Sequence, residues 1–100
     1  MKKVKKDFVR AGFIHKQIKR EGDVAIFFRT KPEYSNGHYE VIKISRHNGY
    51  NMGTAYIEAA ETYPGASLWG LQGWTYATLA KAEEKYKKVK KRFAKKLVAA

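Results

Sequence analysis

The sequence contains no cysteine, which excludes disulfides and thiolate metal ligands and removes support for an oxidising compartment. Proline is scarce, with only Pro32 and Pro64 to interrupt regular structure. Acidic residues are few, 9 Asp and Glu against 21 Lys and Arg, and the formal charge is +12. Long hydrophobic runs are missing too. Phe8, Val9, Phe13 and Ile14 are broken up by Arg10, Gly12 and His15, so neither a signal-peptide core nor a membrane span follows the basic start. A cytoplasmic protein that does not enter the membrane is expected.

What is present suffices for one packed core. The chain has 100 residues, 44% of them hydrophobic and 14% aromatic, as in a single globular domain. Its charge is unevenly placed: residues 1–20 carry +7, residues 21–78 carry −2 and residues 79–100 carry +7 again. Residues 1–7, with Lys2, Lys3, Lys5 and Lys6 and little apolar company, read as a mobile basic arm, and residues 8–100 as one α+β domain.

The clearest periodicity belongs to a helix. Leu79, Ala82, Tyr86, Val89, Phe93 and Leu97 follow steps of three and four and form one apolar stripe. Lys81, Lys85, Lys88, Arg92 and Lys95 follow the same steps and predict a continuous cationic line on the opposite side, bordered by Glu84. Thr78 stands at the N-cap position. From Thr78 to Leu97 such a helix spans roughly 30 Å, enough to cross a sheet.

Upstream, the pattern is one of strands. Gly12 to Arg20 reads as a strand, the alternative being a helix from Asp7 in which Gly12 would cost about 1 kcal/mol. Val24 to Lys31 is apolar on both faces and therefore a central strand, closed by Pro32. Asn36-Gly37 predicts a tight hairpin leading into a strand from His38 to His47, with Ile42 and Ile44 on one face and Tyr39 and Val41 on the other. Thr54 to Ala60 fits a short strand or one helical turn, and Trp74-Thr75-Tyr76 a brief strand before the helix.

Tyr63-Pro64, Trp69-Gly70, Gly73-Trp74-Thr75-Tyr76, Leu79 and Ala82 together resemble a motif of small accessory proteins of tailed bacteriophages. The likeness covers about the last third of the chain. It implies a protein made inside a bacterial host cell, and it brings no catalytic residues with it.

Sites must be read from the residues. Gly70 and Gly73 lack the spacing of phosphate-binding loops and are read as permitting a turn between two tryptophans. Trp69 and Trp74 pack in the core or, in the alternative, stack on bases beside cationic side chains. His15, His38 and His47 have no metal-ligand spacing, so neither a metal nor a cofactor is expected. A metal-free ribonuclease would use His38 or His47 for proton transfer, with Arg29, Arg46 or a lysine stabilising the phosphorane.

The fold expected is thus α+β, an antiparallel sheet of three to five strands packed on one long C-terminal basic amphipathic helix. Its core set is Val24, Ile26, Phe28, Ile42, Ile44, Leu79, Tyr86, Val89 and Phe93. The function expected is binding without catalysis. The cationic line and the lysines of the arm would grip the phosphates of DNA, RNA or a nucleoprotein complex. The alternatives are an inhibitor of a host protein such as a defence nuclease, and the small ribonuclease.

Overall fold

Val24-Ala25-Ile26-Phe27 is apolar on both sides of the pleat, and such a strand stays dry only when both of its faces are covered. The computed structural model of the protein describes residues 1–33 and 36–99, with side chains described as far as Phe93. The chain runs through β1 (Asp7–Arg10), β2 (Phe13–Glu21), β3 (Val24–Thr30), β4 (His38–Lys43), β5 (Ser45–His47), β6 (Tyr50–Met52), β7 (Ala55–Ile57), β8 (Ala60–Thr62), β9 (Gly73–Tyr76) and α1 (Leu79–Ala99). Five strands form an antiparallel sheet in the order β1-β2-β3-β4-β9, with β3 at its centre. β5 pairs with β8, and β6 with β7, as two small ribbons.

Both faces of β3 are covered, by different means. On one face Val24, Ile26 and Val41 meet Ala82, Tyr86 and Val89 of α1, with Trp74 and Phe93 at the margin. On the other, Ala25, Phe27, Ile42 and Ile44 lie beneath Val4, Phe8, Tyr63 and Trp69. The molecule therefore adds a third, irregular layer to the expected sheet and helix. That layer explains why Ala25 and Phe27 are fully buried although the sequence core set omits them, as it omits Val41, which α1 buries on the other face. Leu79 leaves that set: it precedes the turn that first faces the sheet and is 36% exposed. Phe28, towards the end of β3, is only partly buried, against Tyr39.

The N-terminal region is all strand. Ala11 and Gly12 have φ of 52° and 81°, as a two-residue primed turn requires, and they join β1 to β2. Residues 1–7, expected as a mobile arm, are tied down in the structure. Lys2 N–H donates to Ala59 O (3.1 Å), Glu61 N–H donates to Lys2 O (2.7 Å) and Gln17 N–H donates to Lys6 O (2.7 Å). The strand expected over His38–His47 is divided at Ile44, whose N–H turns to Asp23 O (2.7 Å), so β5 leaves the main sheet to pair with β8. Gly37 is not at positive φ. It is glycine because the Phe28 ring and the Thr30 methyl group occupy the space a Cβ would need, so Asn36-Gly37 is not a two-residue hairpin turn. The neighbouring Tyr34 and Ser35 lie outside the described residues.

An ionic knot fastens the third layer. Glu61, its side chain 3% exposed, receives both arms of the Arg20 fork (2.8 and 2.7 Å), Arg46 Nη2 (3.1 Å) and the Val4 N–H (3.1 Å). Arg46 also grips Asp23 with two bonds of 2.6 Å. Arg20 above all holds the Glu61 carboxyl down at about 2, against the opposing effect of burial.

Candidate functional site

Thr78 caps α1, its hydroxyl accepting from Lys81 N–H at 3.3 Å, and this start fixes the rotation of every later residue. Ala82, Tyr86 and Val89 face the sheet. Lys81, Lys85, Lys88 and Arg92 form a second row, but at about 100° per residue it lies about 100° round from the first, on a flank rather than opposite. The flank is the one beside the sheet edge, because Lys85 Nζ sits 4.4 Å from the ring centroid of Trp74 on the edge strand β9. On the other flank Glu83 takes Lys19 (3.1 Å) and Lys90 pairs with Glu21, so β2 ties down part of it, while Lys87 between them is exposed. Lys81, Lys88 and Arg92 are exposed and enter no ion pair among the described residues. Lys95 and Leu97, which extend the two rows in sequence, lie beyond the described side chains.

The remaining expected contacts are elsewhere. Lys2, Lys3, Lys5 and Lys6 are exposed, but Val4 and Phe8 attach their segment to the face away from α1. The sheet thus stands between the two basic segments, and they do not form one surface. The tryptophans are parted in the same way: Trp74 packs beside α1, whereas Trp69 covers the other face, its indole N–H donating to Thr75 Oγ1 at 2.9 Å. Gly73 is glycine because the Trp69 ring lies against it. Of the ribonuclease residues, the structure brings one pair together. Arg46 is held by Asp23 and Glu61, and His47 bonds the neighbouring Asn48 carbonyl, while only His38 and Arg29 are cross-strand partners.

A different constellation occupies the face away from the helix. Cross-strand pairing lines up Phe8, His15, Arg29 and His38 across β1 to β4, and direct partners in such a ladder share a face. Beside them opens a cleft of about 500 Å³, lined by Arg10, Phe13, Arg29 and Trp69 among others, with His15 and Glu40 in its wall. His15 and Glu40 are each only 3% exposed. The Tyr63 hydroxyl donates to Glu40 Oε1 at 2.6 Å, His15 Nε2 lies 3.4 Å from the same oxygen, and Arg29 Nη1 lies 3.4 Å from Oε2. His15 Nδ1 is 3.1 Å from Phe13 O, which can only accept, so Nδ1 carries a hydrogen. The contact between Nε2 and Glu40 then needs one further proton, on the imidazole or on the carboxyl. Burial lowers the His15 pKa while the Glu40 charge pulls it upward, and burial together with Glu40 drives the Tyr63 phenol far up.

None of His15, Glu40 and Tyr63 is singled out by sequence spacing, because only strand register brings them together. The legible signal was Ala11-Gly12: reading it as a hairpin turn places His15 beside Phe8, and the separate turn between Glu21 and Val24 brings Arg29 alongside on β3. Among the described residues no three His, Asp or Glu side chains gather as metal ligands do, and no helix is long and apolar enough to cross a membrane. No protein family, curated protein or solved structure matches the chain.

Proposed function

We propose that the protein binds nucleic acid, or a complex that contains it, without catalysis, through the flank of α1 that carries Lys81, Lys85, Lys88 and Arg92. The observation that carries this reading is the difference between the two flanks of one helix. One carries an acidic residue and two ion pairs to β2, with Lys87 its only other charge among the described residues, while the other carries four cations in a row and sets them beside a tryptophan on a sheet edge. Random solvation would mix signs on both flanks. From Lys81 to Arg92 the row runs about 16 Å, a length over which duplex DNA presents on the order of ten phosphate charges. These are backbone contacts, which position a protein without reading sequence. Trp74 adds a face on which a single-stranded base can stack. The setting that goes with this reading is the cytoplasm of a bacterial host cell.

The test is a salt titration of binding to DNA and RNA, single- and double-stranded. Four phosphate contacts give a log–log slope of roughly −3.6, and the variant carrying Lys81→Gln, Lys88→Gln and Arg92→Gln flattens it by roughly 2.7 while weakening all sequences alike. An unchanged slope in that variant refutes the proposal.

A second reading has its own observation. The β6–β7 hairpin exposes Tyr50, Met52 and Tyr56 by 48%, 59% and 65%, a kind of surface that suits a protein partner such as a host defence nuclease. Capture of one protein from nuclease-treated bacterial lysate, lost on Tyr56→Ser and retained in the triple helix variant, would favour it over the first.

A further inference from the structure

We propose that the cleft on the face away from α1 binds a nucleoside monophosphate, with Arg10 and Arg29 taking the phosphate and Phe13 and Trp69 bordering the base. The site is separate from the helix flank and does not depend on it.

Two guanidinium groups line the cleft, and both have bonding capacity to spare. Arg29 Nη1 stands 3.4 Å from Glu40, longer than the roughly 2.8 Å of a strong charge-assisted bond, and its Nε is buried with no hydrogen-bond partner. Arg10 contacts Pro64 O at 3.4 Å, again at the limit. Among the described residues Glu40 is the one carboxylate that lines the cleft with these two cations. Planar forks of this kind match phosphate oxygens better than a point charge does. The Arg29 guanidinium also lies 4.5 Å from the Phe13 ring centroid, which fixes its plane.

The rest of the wall suits a flat ring with a polar edge. Phe13, Trp69 and Pro64 supply the apolar faces. Thr75 already accepts from Trp69 and keeps its own hydroxyl hydrogen to donate. The volume of about 500 Å³ falls within the usual range of ligand sites, about 300–1,000 Å³. Buried ionic clusters often contribute less to stability than apolar residues of the same volume, so His15, Glu40 and Arg29 are not needed merely to fill the fold.

The same geometry argues for binding rather than catalysis. Both ring nitrogens of His15 are engaged, one by Phe13 O and the other by Glu40, so no lone pair is left for a substrate proton. His15 is a positioning residue: it braces Glu40, which in turn steadies Arg29.

Calorimetric titration of the full chain with AMP, GMP, CMP and UMP tests this, with ribose 5-phosphate and inorganic phosphate as probes lacking the base. At least one nucleotide is expected to bind about tenfold or more tightly than either base-free probe. Arg10 is exposed and its side chain makes only weak contacts, to Pro64 O at 3.4 Å and over the Tyr63 ring at 5.6 Å, so Arg10→Gln folds normally, and it weakens binding about tenfold. Trp69→Phe reduces the preference for nucleotide over ribose 5-phosphate, and the triple helix variant leaves the titration unchanged. A 5′-phosphorylated oligonucleotide that outcompetes the free nucleotide, and loses that advantage in Arg10→Gln, assigns the site to a strand end. The proposal is overturned if no nucleotide binds at millimolar concentration to protein with a native circular dichroism spectrum. Equal affinity for inorganic phosphate, or affinity unaltered by Arg10→Gln, overturns it as well.

Discussion

Glu40 shows how a single side chain acquires its surroundings. It sits opposite Phe27 on one neighbouring strand and Thr75 on the other, in the middle of a sheet where a carboxylate would be costly unpaired. Tyr63, His15 and Arg29 supply what water would have supplied. The Tyr63 ring also meets Phe8 and Phe27 edge-on, at 5.4 and 5.3 Å between centroids. Tyr63→Phe keeps those ring contacts and removes only the hydroxyl bond to Glu40, so urea unfolding of this variant is expected to show a loss of about 1–2 kcal/mol. This cluster was invisible in the sequence for a plain reason. Its members are distant along the chain, no spacing links them, and their meeting depends on two strand registers and a loop.

At the scale of elements, the helix was the most legible part of the chain. Its apolar stripe follows from spacing alone, and Ala82, Tyr86 and Val89 are buried as that spacing requires. The direction of its cationic row was not legible, because it depends on where the sheet edge lies. β1 escaped notice for a local reason: Val9 and Arg10 are exposed, so the strand has hardly any alternation, and its turn begins with alanine at positive φ, a rare choice for a non-glycine residue. The first turn of α1 contains no acidic residue and places Lys81 at the positive end of the helix dipole. A helix selected for stability would carry Glu there, completing a capping box with Thr78. Lys81→Glu is therefore expected to raise stability in thermal unfolding by about 0.5–1 kcal/mol while weakening the nucleic-acid binding proposed for this flank. A variant that loses stability instead would show that Lys81 serves the fold.

At the scale of the molecule, the sheet is a partition with a different chemistry on each side, and the ionic knot at Glu61 holds the irregular side in place. The carboxyl of Glu61 is depressed from 4.5 to about 2, chiefly by hydrogen bonds from Arg20. Asp23 is lowered as well, first by its bonds from Arg46. A depressed carboxylate contributes stability above its unfolded value and loses it as pH falls through the folded one. The urea midpoint should accordingly decline as pH drops from 4.5 towards about 2. Glu61→Gln should lose about 2 kcal/mol at neutral pH and show a flatter acid limb, the difference separating Glu61 from general repulsion among the lysines.

α1 comes after every strand it covers, and this order governs how the chain folds as it leaves the ribosome. Synthesis delivers β1 to β4 early, as neighbours in sequence that can pair at once, but the Val24, Ile26 and Val41 face stays bare until the helix emerges. During that interval the nascent protein is a sheet with one wet hydrophobic side, the kind of surface that chaperones bind and that self-associates when translation stalls. A stop codon after Tyr76 therefore yields an aggregation-prone fragment rather than a smaller folded protein.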